Sequence, residues 1–312
     1  MNNTTNTTSL DPLPPWLSDL FMPIISSLVC VLGLLGNGIV IYTCLRYPGM
    51  SSVPNLYIVN LAVADFLHLF ALPFLIYFNT HARWVFGNAM CKVVMGLDGA
   101  NMFTGIFTLT AMAVDRYLAI VHIVWAKNYR TQMKTKLVCC ILWMMSLAFS
   151  APLWLYANTM RIDGVVVCIV ICPVLVEQLF IMYTFVIGFV SPLVIITVCY
   201  VGILRFLGNN ARRRRRFRVG HVGALVLMAV LLFVVCWLPF WIVRFLILSS
   251  YQPTYGLKIA YYIGWILITM NSCLNPLVYA YFKHDFRDVI WYCCLKCKSP
   301  GEALPRIRTS SY

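Results

Sequence analysis

The run Arg212–Leu248, RRRRRFRVGHVGALVLMAVLLFVVCWLPFWIVRFLIL, decides the fold. Behind its basic head, Val219–Leu248 carries a single formal charge, Arg244. Crossing the hydrocarbon core of a bilayer takes roughly 20 residues of apolar helix, so this stretch reads as a membrane span with a positive anchor at one end. Working outward, six more stretches read the same way: about Met22–Leu45, Val53–Phe78, Asn88–Val121, Leu137–Tyr156, Leu175–Phe206 and Leu257–Phe282. The third, fifth and sixth exceed the minimum, which implies tilt or extension beyond the bilayer. Pro73, Pro152, Pro192, Pro239 and Pro276 lie inside spans, where neighbouring helices can re-satisfy the carbonyls that proline frees. The expected fold is an all-α membrane protein: a seven-transmembrane helix bundle over 22–282, after an N-terminal segment 1–21 and before an amphipathic eighth helix 283–295 and a tail 296–312.

Composition agrees. Of 312 residues 61% are apolar and 11% charged, whereas soluble domains run at about half and about a quarter. The net charge of +14 comes from 24 Lys+Arg against 10 Asp+Glu. Nucleic-acid binders are rich in charge, so nucleic acid is excluded as a partner and the excess base has another meaning. With the N-terminus outside, only Arg83, Lys92, Arg161, Arg244 and Lys258 fall on the outer half; the other nineteen lie inside, Arg212–Arg216 and Arg218 foremost. The positive-inside rule therefore predicts an extracellular N-terminus and a cytoplasmic C-terminus. Asn2, Asn3 and Asn6 each begin an Asn-x-Thr sequon, useful only in the secretory lumen. No cleavable signal segment is evident before Met22, so the first span is expected to act as its own insertion signal.

Most of the 13 cysteines fall within spans as small apolar packing residues. Cys91, Cys168 and Cys172 sit on the oxidising side. A Cys91–Cys168 bridge would tie the third span to the loop before the fifth; Cys172 competes, and the sequence leaves the choice open. The β-branched stretch Val165–Ile171 suggests a short hairpin over the bundle mouth. At the inner end, Phe282, Phe286, Val289 and Ile290 recur at helical spacing among Lys283, Asp285, Arg287 and Asp288, a pattern for a helix on the inner leaflet. Cys293, Cys294 and Cys297 follow among basic residues as palmitoylation sites, unmodified thiols being the alternative.

Ionisable residues inside spans are functional candidates by default. Asp65 lies in span two, Asp98 and Asp115 in span three. Asp98 and Asp115 are separated by roughly 25 Å of helix, so one is near the outer mouth and the other near the inner face. A partly desolvated carboxylate at the outer mouth suits a cationic ligand group; the alternative is a salt bridge to Arg244 or Lys258. No catalytic set is visible. His68, His81, His122, His221 and His284 are scattered without metal-ligand spacing, so neither an enzyme nor a metal centre is expected.

The motifs occur in order along the spans: Gly36-Asn37; Asn60-Leu-Ala-Val-Ala-Asp65; Cys91; Asp115-Arg116-Tyr117; Trp143; Pro192 with Tyr200; Cys236-Trp237-Leu238-Pro239; and Asn275-Pro276-Leu277-Val278-Tyr279. From Met22 to Leu295 the chain resembles the rhodopsin-like (class A) G-protein-coupled receptors. Asp98-Gly-Ala-Asn-Met-Phe-Thr104, Phe107-Thr-Leu-Thr110, Pro73, Asn271-Ser272-Cys273 and Trp84-Val-Phe-Gly87 are similar to receptors for somatostatin and opioid peptides and their relatives for urotensin II, melanin-concentrating hormone and allatostatin C. Gly96-Leu97-Asp98 and Pro239-Phe240-Trp241 lean to the urotensin branch, Asn101–Thr104 to somatostatin and opioid receptors, and Trp154-Leu-Tyr-Ala157 to the melanin-concentrating hormone branch.

The resemblance implies that Asp98 pairs with a ligand amine, which in somatostatin and urotensin peptides is a Lys beside a Trp. Met102, Phe240, Trp241 and Trp265 would wall the pocket with Trp237 at its floor; ordinary packing is the alternative for each ring. Ile106, Pro192 and Phe233 resemble the connector to the inner face, where Asp115, Arg116, Tyr117, Tyr200 and Tyr279 resemble the G-protein switch. Asp65, Asn101, Asn271, Ser272 and Asn275 resemble an allosteric Na+ site, with no other cofactor implied. Partners would be an extracellular peptide, a heterotrimeric G protein of the inhibitory type (Gi/o), arrestin and membrane lipids, and the setting the plasma membrane.

Some positions depart from the pattern. Thr269 replaces a Tyr that hydrogen-bonds the ligand-binding Asp; Ile123 follows His122 where a Pro is usual; Arg218-Val219-Gly220 offers no acidic partner for Arg116; and Gly105 replaces a Ser hydroxyl at the sodium site. These predict an altered Asp98 orientation, raised basal activity and weak sodium sensitivity. An opsin would need a Lys within span seven, and Lys258 stands only at its start. A transporter would show paired halves. A non-signalling scavenger or scaffold receptor would be expected to lack an intact Asp-Arg-Tyr.

Overall fold

The computed structural model describes residues 16–47, 52–209, 221–249 and 254–282. Asn2, Asn3, Asn6, the arginine run, the expected helix 283–295 and Cys293, Cys294 and Cys297 lie outside these residues. Among the described residues, seven helices are long and apolar enough to cross a membrane: Met22–Arg46, Val53–His81, Gly87–Val121, Gln132–Phe149, Val174–Asn209, Val226–Ser249 and Tyr255–Tyr281. These are the first to seventh spans. Helix is what such sequence must form, because lipid offers the backbone no hydrogen-bond partner.

The third span runs through the middle, against the second, fourth, fifth and sixth; the first packs on the second and seventh, and the seventh on the sixth. The main core surrounds it and includes Ile58, Leu61, Phe103, Ile106, Phe189, Phe233 and Tyr279. Outward faces carry exposed Leu28, Val31, Leu35, Ile141, Val194, Val198, Leu231 and Val235, while Asn37, Asn60, Asp65 and Asn275 are buried. Apolar outside and polar inside is the arrangement a lipid solvent selects.

Two spans differ from the sequence reading. The fourth starts earlier, at Gln132, with the Thr131 hydroxyl accepting from the Lys134 N–H at 3.3 Å, and it stops at Phe149. A separate short helix, Ala151–Tyr156, follows with Pro152 in its first turn; proline cannot donate into a continuing helix, so the expected span to Tyr156 breaks at Ser150. The fifth consists of Val174–Phe185 and Ser191–Asn209 joined by a π-helical turn, Val186–Val190, in which the Ser191 N–H donates to Val186 O. This wide turn stands directly ahead of Pro192, which has no N–H to offer.

The hairpin expected near Val165–Ile171 is present. Strand β1 (Ala157–Ile162) pairs antiparallel with β2 (Val165–Val170), with Thr159 opposite Cys168. Asp163 and Gly164 turn it at φ 49° and 83°, the two left-handed residues a tight type I′ turn requires. The hairpin is tied at three points. Cys168 is disulfide-bonded to Cys91 at the start of the third span, with Cα atoms 5.7 Å apart. The Trp84 N–H donates to Val166 O at 2.6 Å, and the Thr159 N–H donates to Asn88 Oδ1 at 2.9 Å. Cys172 remains a thiol; burial and, secondarily, Glu177 push its pKa up.

Candidate functional site

Beneath the hairpin a cavity of about 350 Å³ opens between the second, third, fifth, sixth and seventh spans, with Leu153 and Val170 at its roof side. Its wall brings together Asp98, Met102, Trp237, Phe240, Trp241 and Trp265, the six residues singled out from the sequence. The rings interlock edge to face: Trp237–Phe240 at 6.3 Å, Phe240–Trp241 at 5.9 Å, and Phe240 tilted on Tyr261 at 5.7 Å. Trp237 also stacks on Phe233 at 5.5 Å. The indole N–H groups of Trp237 and Trp241 are buried without a hydrogen-bond partner among the described residues. Buried donors normally find an acceptor, so these two can serve an incoming carbonyl or an ordered water.

Asp98 is the acidic group of this wall, its side chain 42% exposed. Neither cation weighed from the sequence holds it as a salt bridge. Arg244 extends instead to Glu177 on the fifth span, 3.4 Å away. The neighbour of Asp98 is His68 on the second span, with Nδ1 3.3 Å from Oδ1 and a side chain only 3% exposed. Thr269, at the place of the expected tyrosine, is buried and donates to Trp265 O at 3.0 Å; its hydroxyl is spent on its own helix.

One level further into the bundle, Asp65 accepts from Asn275 Nδ2 at 2.8 Å, with Asn101 and Ser272 in hydrogen-bonding reach of the same carboxylate. Asn101 Nδ2 donates to Ser272 Oγ at 3.3 Å. The Oδ1 atoms of Asn101 and Asn271 are buried without a donor among the described residues, so this cluster has oxygen acceptors to spare, the chemistry a hard cation selects. At Gly105 an added Cβ would meet only Leu61 Cδ1, at 3.8 Å. Tyr279 is buried within electrostatic range of Asp65.

At the opposite end from the hairpin, Asp115 is held twice. Arg116 Nη2 lies 3.1 Å from Oδ2. Arg130, on the loop after the short helix Ile123–Tyr129, forks onto both carboxylate oxygens at 2.7 and 3.1 Å, the bidentate geometry that makes Arg–carboxylate pairs strong. Tyr57 and Tyr200 stand around the Arg116 guanidinium. Tyr117 turns to the fifth span, where its ring fills the space beside Gly202. Between the two ends, Ile106 and Phe233 are fully buried in the core and Pro192 is buried beside the π-helical turn; Phe189 tilts against Phe233 at 5.9 Å.

Residues 36–279 match the model of the 7 transmembrane receptor (rhodopsin family). The chain belongs to that family. A somatostatin receptor type 5 of Bos taurus is 40% identical over 281 residues, covering 88% of this chain and 76% of that protein. A type 4 receptor of Rattus norvegicus is 38% identical over 286 residues, 88% and 72%, and a type 3 receptor of Homo sapiens 37% over 302 residues, 90% and 71%. This receptor is therefore a class A G-protein-coupled receptor of the peptide-receptor subgroup, a multi-pass plasma-membrane protein and not an enzyme. Among its described residues no group of three or more His, Cys, Asp or Glu could hold a metal ion.

Three site features of the receptor escaped the sequence. His68 lies one helical turn from Asp65 on the same face, a spacing that was legible. Arg130 has no such signal, being a loop cation among several. The Arg244–Glu177 pair spans two helices whose rotation the apolar pattern leaves open.

Proposed function

We propose that this receptor is activated from the extracellular side by a cyclic peptide with a Trp-Lys core, of the somatostatin or urotensin kind, and couples to Gi/o-type heterotrimeric G proteins, with arrestin as a second partner. Its N-terminus is then extracellular and its C-terminus cytoplasmic, which puts the hairpin and cavity outside and Asp115 inside. The carrying observation is the half-exposed Asp98 carboxylate, the acidic group of a wall of mainly aromatic and apolar side chains whose other cation, Arg244, is paired with Glu177. A ligand ammonium docked there forms an ion pair in a partly desolvated setting, and the adjoining ring faces add cation–π attraction and room for an indole. Likeness to receptors named for somatostatin supports this branch over the opioid and melanin-concentrating hormone branches.

Activation is a population shift: the peptide must bind the state with the sixth span swung out at its inner end more tightly than the resting one. Trp237, Phe233 and Ile106 share one core below the cavity, and with Pro192, buried on the fifth span, they would form the connector to the inner face, with Pro239 as the bend in the sixth span. Release of Arg116 from Asp115, together with Tyr200 and Tyr279, then admits a G-protein helix. Asp65, Asn101, Asn271, Ser272 and Asn275 would hold Na+ weakly, because Gly105 withholds one hydroxyl ligand.

The test is G-protein activation by cyclic Trp-Lys peptides, opioid peptides and melanin-concentrating hormone, repeated with Asp98→Asn. The cyclic peptides should act and lose potency at least tenfold on the variant. Potent activation by another peptide class alone, or equal potency on the variant, overturns the reading.

A further inference from the structure

The second span contributes a histidine to a cavity wall of mainly aromatic and apolar side chains that also carries Asp98, Arg244 and the neutral polar groups of Asn79, Asn101 and Thr184. His68 is 3% exposed, its Nδ1 is 3.3 Å from Asp98 Oδ1, and neither ring nitrogen has a hydrogen-bond partner among the described residues. A buried imidazole with unsatisfied nitrogens, set at ion-pair distance from a half-exposed carboxylate, is poised rather than settled. The tyrosine that family resemblance leads one to expect on the seventh span is absent, and Thr269 bonds its own helix. The place of a positioning partner for Asp98 is therefore filled from the other side of the cavity.

We propose that His68 is the positioning residue of Asp98 and a proton-operated gate on its use. A neutral ring holds one carboxylate oxygen and leaves the other to the ligand ammonium. A protonated ring closes a His–Asp ion pair inside the cavity wall, neutralising the carboxylate and repelling a second cation. The sign follows: binding of a cationic ligand and protonation of His68 oppose each other, so affinity for cations falls as pH falls through the imidazole's titration. The other ionisable groups around the pair are Asp65 one turn inward on the second span, Tyr261 and Tyr262 on the seventh, and Arg244 on the sixth, held by Glu177 of the fifth. Because Arg244 is already paired with Glu177, His68 is the group in this wall that a single proton can turn into a cation beside Asp98.

This inference rests on Asp98 being the ligand-amine site, so its test has two arms. In membranes, potency of a cyclic Trp-Lys peptide is measured from pH 5.5 to 8.0 on the unaltered receptor, His68→Gln, His68→Phe and Asp98→Asn. The unaltered receptor should lose potency as pH falls, by at most tenfold per pH unit since one proton is linked. His68→Gln, a neutral donor, should give a flat profile with potency near the high-pH limit; His68→Phe should be flat and several-fold weaker throughout. The second arm needs no ligand: thermal unfolding of the purified full chain carrying His68→Gln, Asp98→Asn, both or neither. The four midpoints should show a coupling on the order of a few degrees that grows as pH falls. Coupling that is absent or insensitive to pH overturns the gate, even where Asp98→Asn abolishes peptide action. Unchanged peptide potency in Asp98→Asn overturns the amine-site reading instead, whatever the coupling.

Discussion

Gly96→Ala is the substitution for which the structure gives the sharpest magnitude. A Cβ built at Gly96 would overlap Cδ2 and Cε2 of Trp154 and stand 2.6 Å from Cε3. Carbon atoms prefer about 3.5–4.0 Å, so the indole must retreat by about 1 Å or more. It cannot do so freely. Its Nε1 donates to Ser150 Oγ at 3.1 Å, and Lys92 Nζ donates to the backbone oxygens of Trp154 and Leu155 at 3.3 and 3.0 Å. Overpacking of this kind costs about 1–3 kcal/mol, and losing the indole hydrogen bond adds about 1 kcal/mol. Against that, alanine gains about 0.5–1 kcal/mol over glycine inside a helix. The net is a loss of about 1–3 kcal/mol, a fall of several degrees in thermal midpoint. Gly38→Ala is the internal control, because its Cβ would meet only Phe66 Cε2 at an ordinary 3.7 Å and keeps the helix-propensity gain. Thermal unfolding of the purified receptor checks the pair. Since Leu153, beside Trp154, lines the cavity, Gly96→Ala should also weaken agonist binding. A Gly96→Ala midpoint at or above that of Gly38→Ala would refute the close-packing argument.

Three further outcomes are expected. Cys168→Ser should destabilise the receptor by up to about 4.5 kcal/mol, the chain-entropy limit for a bridge closing a 77-residue separation, whereas Cys172→Ser should leave surface expression unchanged; loss in Cys172→Ser with none in Cys168→Ser would reverse the pairing. Arg130→Ala should lower basal nucleotide exchange, because Asp115 then turns wholly to Arg116 and holds it more firmly; Arg130→Lys should lie between, having lost the fork, and a rise in basal exchange would contradict the competition. In the receptor as it stands, agonist affinity should drop little when sodium replaces a bulky organic cation. Gly105→Ser, which has room beside Leu61, should enlarge that drop several-fold, and a large drop before the substitution would count against a depleted sodium site.

The spans were legible because lipid leaves the chain one choice, and Val219–Leu248 or Met22–Leu45 can do nothing but cross. Where the sequence reading slipped, the cause was proline. An apolar stretch containing Pro152 looks continuous by hydropathy, yet the missing N–H ends the helix at Phe149 and starts another at Ala151; ahead of Pro192 the same deficit is absorbed by a π-helical turn. Asp65, Asp98 and Asp115 stood out for the converse reason, since charge inside a span demands a partner. Their partners did not stand out. Arg130 reaches Asp115 from a loop and His68 reaches Asp98 from a neighbouring helix, and periodicity along one helix carries no information about which face of another it meets.

What distinguishes the three carboxylates is the kind of group that holds each. Asp65 is held by neutral amide and hydroxyl groups, whose charge no ordinary pH change alters. Asp115 is shared by two arginines, permanently charged, so its allegiance changes by movement and not by titration. Of the three, Asp98 faces an imidazole, a partner whose charge a proton can change. A receptor's outer site must release its carboxylate to a ligand on encounter, and a histidine can do that by giving up a proton where an arginine would have to be dragged away. With Thr269 bonded to its own helix where family resemblance leads one to expect a tyrosine, and His68 opposite, the proposed gate would make the availability of the Asp98 charge a property of the medium as well as of the fold.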